Sequence, residues 1–226
     1  NVTALVGVPR VFKLFYDGIK QQIDSKFITR TIYKLMTKIK SFKIRRKVFA
    51  KVHEKFGGKL TFIVSGGAKL DPEIGEFYET LGIYVQEGYG LTETSPLVAF
   101  SPVGKTRPGY LGWSMEEIQV KIDNPDPETG IGELVVKGDN VMKGYYNDPA
   151  LTAEVFTQDG FFKTGDLCSI DKKGWIRLMG RSKNMILGAS GENIYPEDIE
   201  FVINQHPLVS ESLVIEGENS SLVAYV

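Results

Sequence analysis

Residues 10–56 carry a helical pattern of apolar and polar positions. Ile28, Ile32, Leu35, Ile39 and Phe42 recur at spacings of four and three, one apolar stripe of the kind that seats a helix on a core. Lys26, Arg30, Lys34 and Lys38 follow at four-residue steps on the opposite and flanking faces. From residue 60 the texture changes. Residues 60–65 form a short continuous apolar run that closes on Gly66-Gly67, a buried-strand pattern. A helix follows, with Asp71 as N-cap, Pro72 at its first position, Ile74, Phe77, Tyr78 and Leu81 on one face, and Gly82 as its stop. A second strand over 83–86 runs into Glu87-Gly88-Tyr89-Gly90. Strand, helix, strand predicts a parallel βαβ unit, with both glycine turns at strand ends, where open α/β sheets bind ligands.

Residues 101–180 alternate short strand patterns with turn signals such as Asn124-Pro125-Asp126-Pro127. Segments 118–122, 132–136, 161–164, 167–170 and 175–179 are expected to form an antiparallel barrel or sandwich, interrupted by a short helix after Asp148-Pro149. Past Gly180-Arg181 an α+β pattern begins. Its helix opens at Pro196 with Ile199, Val202 and Ile203 on one face, and strands are expected near 209–215 and 221–226. The expected fold class is therefore α/β: a parallel βαβ sheet portion over 1–100 with a basic helical insertion, and a β-barrel-like subdomain over 101–182. The start of a small α+β C-terminal domain is expected over 183–226.

Composition adds limits. At 42% hydrophobic and 11% aromatic residues, the 226-residue chain is globular, with room for one or two domains. Its single cysteine, Cys168, excludes an internal disulfide and fits a reducing compartment. No apolar run approaches the roughly 20 residues of a membrane span. The expected location is cytoplasmic, with possible peripheral membrane contact. The formal charge of −1 hides a split, because residues 1–59 hold 15 Lys/Arg against Asp17, Asp24 and Glu54, a net +12 that leaves −13 for the rest. Three uses of that basic segment compete: a solvated surface helix, contact of the helix over 26–52 with an anionic membrane, and nucleic-acid binding. The last is disfavoured, since no recognised nucleic-acid motif accompanies the charge. The chain opens on Asn1 and closes at Val226 inside an apolar stretch, so it is expected to be an excised piece of a longer protein.

Gly88-Tyr89-Gly90-Leu91-Thr92-Glu93 is the most informative stretch. Gly88 and Gly90 allow a tight turn and close backbone approach to a phosphate. Tyr89 offers a flat face for a base, Thr92 a hydroxyl for a phosphate oxygen, and Glu93 one hard carboxylate for Mg²⁺. The same residues also suit a plain glycine turn with a core Tyr and a solvated Glu. The stretch lacks the third glycine of a dinucleotide fingerprint, and Gly57-Gly58-Lys59 lacks the rest of a Walker A loop. Asp166, in Thr164-Gly165-Asp166, can accept both hydroxyls of a ribose or can simply close a turn. Arg181 can donate to ribose or phosphate oxygens, or make a surface ion pair. Gly188-Ala189-Ser190-Gly191 has the composition of a mobile loop. His53 and His206 are read as structural, and the Asn1-Val2-Thr3 and Asn219-Ser220-Ser221 triplets as chance matches to the glycosylation pattern.

The order of these segments is more specific than any one. Ser65-Gly66-Gly67-Ala68, Tyr89-Gly90-Leu91-Thr92-Glu93-Thr94, Gly132-Glu133-Leu134, Gly144-Tyr145-Tyr146, Thr164-Gly165-Asp166-Leu167, Gly180-Arg181 and Gly191-Glu192-Asn193-Ile194-Tyr195-Pro196 follow one another over about residues 60–200. This series resembles the adenylate-forming superfamily of acyl-CoA synthetases, peptide-synthetase adenylation domains and luciferases. Val8-Pro9-Arg10-Val11-Phe12 followed by a basic insertion is similar to its long-chain fatty acyl-CoA synthetase branch.

The resemblance implies that Gly67 and Ala68 line the adenine and acyl site, that Tyr89 packs on adenine within the Gly88–Gly90 turn, and that Thr92 touches phosphate. It further implies that Glu93 holds Mg²⁺, that Asp166 and Arg181 hold ribose, and that Lys183, where many relatives have Asp, is a domain hinge. Gly191 and Glu192 would belong to a loop that swings in for thioester formation. The implied substrates are fatty acid, ATP and coenzyme A, with Mg²⁺ as cofactor and no nucleic acid. The family's phosphate-loop lysine and its late catalytic lysine match nothing in residues 1–226, so these residues alone are expected to be inactive. The alternatives are a ligase for aryl or medium-chain acids, a fatty-acyl-AMP ligase, or a non-catalytic nucleotide- or membrane-binding module.

Overall fold

The computed structural model describes residues 2–107, 109–188, 191–206, 208–217 and 221–226. Ala189 and Ser190 of the glycine loop, and Asn1, Asn219 and Ser220 of the two glycosylation triplets, lie outside the described residues. The chain divides into two compact units, Asn1–Met115 and Glu116–Val226.

The first unit is built on a mixed five-stranded sheet in simple sequential order. Strands β1 (Ala4–Gly7), β2 (Phe62–Gly66) and β3 (Tyr84–Tyr89) run parallel. The short strands β4 (Ala99–Phe100) and β5 (Trp113–Ser114) then pair antiparallel beside β3. Four helices lie between β1 and β2: α1 (Pro9–Asp24), α2 (Phe27–Met36), α3 (Phe42–Val48) and α4 (Ala50–Lys55). Helix α5 (Pro72–Thr80) links β2 to β3. Its cap is the expected one, since the Asp71 side chain accepts from Glu73 N–H at 2.8 Å, and Gly82 follows it at φ +82°.

One expectation for this unit is corrected. The continuous helix over 10–56 is four helices, with breaks at 25–26, 37–41 and Phe49, although no proline marks any of them. Side-chain hydrogen bonds accompany the first break: the Thr29 hydroxyl reaches the carbonyls of Ile23 and Lys26, and Arg30 Nη2 donates to Asp24 O at 2.9 Å. The apolar stripe divides: Ile39 packs on the core and Phe42 stacks on Tyr84, whereas Ile28 and Leu35 lie exposed on the outer side of α2. Its inward residues are Met36, which is buried, and Tyr33, whose ring packs at 5.6 Å from Phe77. Phe12 from α1 and Phe77, Tyr78, Leu81, Ile63 and Val85 complete a core that excludes water, and Tyr78 Oη donates to Phe12 O at 2.8 Å. Burial of side chains this large contributes roughly 1.5–3 kcal/mol each.

The second unit opens with an antiparallel sheet in the order β6 (Gln119–Asp123), β7 (Gly132–Lys137), β8 (Phe162–Ile170), β9 (Ile176–Arg181). Helix α6 (Pro149–Glu154), capped by Asp148, lies between β7 and β8. The strands expected at 161–164 and 167–170 are one strand, because Gly165 at φ +72° carries the chain through a kink while pairing continues with shifted register. Among the described residues β6 and β9 do not pair, so the sheet is open. Next come β10 (Ile186–Leu187) and β11 (Asn193–Ile194), which form a short antiparallel pair, then α7 (Pro196–Ile203) and the hairpin of β12 (Leu213–Glu216) and β13 (Leu222–Tyr225).

The basic segment is divided by residue type. Each of its arginines in α2 and α3 is tied to backbone: Arg30 as above, Arg45 Nη1 to Glu79 O at 3.0 Å, and Arg46 to Leu60 O at 2.6 Å and Gly58 O at 3.0 Å. The planar fork of guanidinium can saturate two carbonyls at once, which a single ammonium does poorly. Arg46 therefore joins α3 to the entry of β2. Arg46→Lys is expected to lower unfolding stability by about 1–2 kcal/mol, whereas Lys47→Arg next to it is expected to be neutral; urea denaturation of both variants checks this.

Candidate functional site

The parallel strands of the first unit end together on glycines. Gly66 and Gly88 face each other in register at the ends of β2 and β3, and a Cβ on Gly66 would stand 3.4 Å from Gly88 O. Gly67 then turns at φ +82°, and Gly67 and Ala68 are both exposed. After β3 the chain folds back sharply enough that a Cβ on Gly90 would fall 1.6 Å from Pro96 O. Only glycine fits there.

That fold-back contains a single 3₁₀ turn, Thr92–Thr94. Thr94 is fully buried, and its hydroxyl accepts from Leu91 N–H at 2.9 Å while lying 3.0 Å from Leu91 O. Ser95 follows in the left-handed region at φ 53°. The result is a stapled loop with Thr94 inward, Thr92 exposed and Glu93 half-buried. Tyr89 is 8% exposed and pairs with Ala99 of β4, so most of its ring is covered by the chain itself.

Two residues here have roles that their sequence pattern did not suggest. Thr94 fixes the loop, and the signal for it was only a Thr inside a glycine-flanked turn. Glu87, beside Ser65 in the parallel register, has its carboxyl pushed up to about 7. Burial is the main cause; a hydrogen bond from Leu70 N–H and the charge of Lys69 oppose it. A carboxyl on a strand of alternating pattern gave no hint of that burial.

In the second unit Asp166 and Arg181 face each other across β8 and β9. Asp166 is 4% exposed and its Oδ1 meets Arg181 Nε at 3.0 Å, while Arg181 Nη1 donates to Thr164 O at 3.0 Å. Arg181 is about half exposed, so one edge of the pair is open to solvent. Two donors of the guanidinium are spent on the protein and others stay available. Lys183 lies exposed in the turn between β9 and β10. Beside it Asn184 Nδ2 donates to Glu197 Oε1 at 2.8 Å, tying the turn to α7. Gly191, at φ +88°, and Glu192 are exposed at the tip of the β10–β11 pair, where Gly188 N–H donates to Glu192 O at 2.8 Å. His53 is structural as expected, its Nε2 2.8 Å from Leu81 O in the core.

Among the described residues no group of three potential metal ligands occurs. Glu93 alone suits an ion that takes one or two carboxylates from the protein and completes its octahedron with water and substrate phosphates, which is how Mg²⁺ is commonly held.

Glycine turns at the carboxyl ends of parallel strands, one carrying an outward hydroxyl and a carboxylate, define an α/β protein of the ligand-at-the-strand-ends type. The chain belongs to the AMP-binding enzyme family, whose model matches residues 1–146. It is 34% identical over 231 residues to the long-chain-fatty-acid–CoA ligase FadD15 of Mycobacterium bovis, covering 94% of this chain and 37% of that ligase. It is 33% identical over 249 residues to the peroxisomal long chain acyl-CoA synthetase 7 of Arabidopsis thaliana, covering 99% of this chain and 35% of that synthetase. The chain thus spans about a third of the length of these curated relatives. Among solved structures, the O-succinylbenzoate coenzyme A synthetase of Bacillus subtilis in complex with ATP and magnesium ion superposes with a TM-score of 0.67 at 29% identity, covering 79% of this chain and 39% of that one.

The raised pKa of Glu87 has a measurable consequence. Its folded-state value lies above the ordinary 4.5, so the stability it contributes is complete below about pH 4.5 and is lost as pH rises through about 7. Urea unfolding of the wild type is expected to carry a contribution on the order of 3 kcal/mol from this group that is lost between acid and mildly alkaline pH, and Glu87→Gln is expected to remove that contribution.

Proposed function

We propose that the protein carrying this chain is an ATP-dependent long-chain fatty acid–CoA ligase. The observation that carries the reading is the stapled loop at the end of β3, which places an exposed Thr92 and a half-buried Glu93 on a glycine fold-back in a member of the AMP-binding family. The long-chain assignment is supported by relatives with that activity in their names, aligned over 94% and 99% of the chain.

A carboxylate is a poor acyl donor. In the proposed reaction it attacks the α-phosphorus of ATP, the bond to the pyrophosphate oxygen breaks, and pyrophosphate leaves. The thiol sulfur of coenzyme A then attacks the acyl carbon of the adenylate, AMP leaves, and the thiol proton is lost. Within this scheme Gly67, Ala68, Gly88 and Gly90 let backbone approach the nucleotide without obstruction by side chains. Tyr89 packs on the base, Thr92 donates to a phosphate oxygen, and Glu93 supplies the protein carboxylate for Mg²⁺. Bound there, the ion would neutralise charge developing on the phosphates.

Asp166 accepts from the ribose hydroxyls, and Arg181, held in plane by Asp166 and Thr164, donates from its exposed edge. Residues from Lys183 onward move as a body, and Gly191 and Glu192 contribute to the thioester-forming arrangement. Lys183 suits a pivot because it is exposed.

Acid-dependent ATP–pyrophosphate exchange by the full-length enzyme, across acids of graded chain length, tests the reading. Exchange is expected with long-chain acids; exchange confined to aryl or short acids would transfer the protein to another branch, and no acid-dependent exchange would remove the ligase reading. Residues 1–226 alone are expected to give background exchange. Glu93→Gln is expected to cut full-length exchange by at least about tenfold and to raise the Mg²⁺ concentration needed for half-maximal rate.

A further inference from the structure

Strand β3 holds both ends of the turn that follows β2. At the near end Gly66 lies in register with Gly88, close enough that a Cβ would stand 3.4 Å from Gly88 O. At the far end the buried Leu70 gives its N–H to the carboxyl of Glu87. A buried N–H needs an acceptor, and here a side chain of the neighbouring strand supplies it. Between these two anchors lie Gly67, at φ +82°, and Ala68, both exposed.

Alternation along the strands fixes where the Glu87 carboxyl stands. Ser65 and Glu87, paired in register, share the side of the sheet taken two residues earlier by the core residues Ile63 and Val85. On that side Leu70 packs against α5, since a Cβ on Gly75 would stand 3.8 Å from Leu70 Cδ2. The Ser65 hydroxyl is buried and makes no hydrogen bond among the described residues, so it does not compete for the carboxyl. Lys69, in the turn itself, is the charged group that acts on Glu87. From β4, Ser101 donates its N–H to Glu87 O at 3.0 Å, and on β1 Gly7 stands beyond Ser65; none of these is ionisable. Asp71, at the start of α5, has its carboxylate on the Glu73 N–H.

We propose that Glu87 is a positioning residue for the Gly66–Leu70 turn: by holding Leu70 N–H from β3 it fixes where Gly67 and Ala68 present their backbone to the nucleotide, which it does not itself touch. The inference rests on the reading of Gly67 and Ala68 as nucleotide contacts. An ionised carboxylate holds an N–H more tightly than a neutral acid does. With the Glu87 carboxyl pushed up to about 7, the hold on the turn tightens as pH rises through neutrality. Glutamine in its place keeps an acceptor but loses that change, and leucine loses the acceptor.

The test is ATP affinity of the full-length enzyme, measured by titration calorimetry with Mg²⁺ and without acid, beside the acid-dependent exchange rate at saturating ATP. Thermal unfolding checks each variant's fold. Glu87→Leu is expected to weaken ATP binding at least about fivefold while the saturated exchange rate falls by less than about twofold. Relative to Glu87→Gln, which shares the titration of ATP and Mg²⁺, wild-type affinity is expected to strengthen about threefold from about pH 6 to about pH 8. Should Glu87→Leu fail to unfold cooperatively, the comparison of wild type with Glu87→Gln decides alone. Unchanged affinity in a folded Glu87→Leu enzyme, a loss confined to the saturated rate, or identical pH profiles for wild type and Glu87→Gln would each overturn the proposal. ATP binding that responds to Glu87 in an enzyme without acid-dependent exchange would uphold it while removing the ligase reading; no ATP binding by the wild type would overturn both.

Discussion

The backbone of Gly90 passes so close to the carbonyl of Pro96 that no side chain can stand between them. The rest of the first unit is arranged around that approach. Upstream, three parallel strands deliver two glycine turns to the same end of the sheet; downstream, the chain must reverse, and it does so into β4, antiparallel to β3. The reversal is held by one buried hydroxyl, that of Thr94, which takes up the Leu91 N–H. With Thr94 facing in, the preceding Thr92 is exposed and Glu93 half-buried. A steric constraint at one residue thus shapes the turn that carries both.

The second unit reaches its polar site by another route. Asp166 is buried, yet its charge is met by Arg181 across a strand pair, and Arg181 is in turn held by Thr164 O. A buried carboxylate with such a partner is tolerable; without it the desolvation cost would be several kcal/mol. The ion pair orients a guanidinium whose outer edge stays wet. Both units therefore present polar groups on a stiff frame, by close backbone approach in one and by a fixed ion pair in the other.

Much of this was legible in the sequence, because local signals and tertiary structure agree there. The Asp71-Pro72 start and Gly82 stop of α5 act within one turn, and the parallel βαβ unit follows from them. The alternating strands of the second unit were equally plain, apart from the kink at Gly165 that makes one strand of two. What failed depends on distant partners. Strand β1 is four residues long and gains its identity only by pairing with β2. The stripe through Ile28, Ile32 and Leu35 is plain in the sequence but the way it faces is not, since Phe77 and its neighbours are covered by Tyr33 and Met36. The breaks at Ser25 and Phe49 carry neither proline nor glycine. Glu87 and Thr94 are ordinary letters in a strand and a turn, and only burial distinguishes them.

The central claim is that the close approach at Gly90 holds Thr92 and Glu93 where the proposed adenylation needs them. Acid-dependent ATP–pyrophosphate exchange by a Gly90→Ala full-length enzyme tests it most directly, with thermal unfolding as the check that the variant remains folded. The account predicts cooperative unfolding with exchange reduced on the order of a hundredfold, the cost of moving reacting groups by about an ångström. A folded Gly90→Ala enzyme that exchanges at the wild-type rate would contradict it.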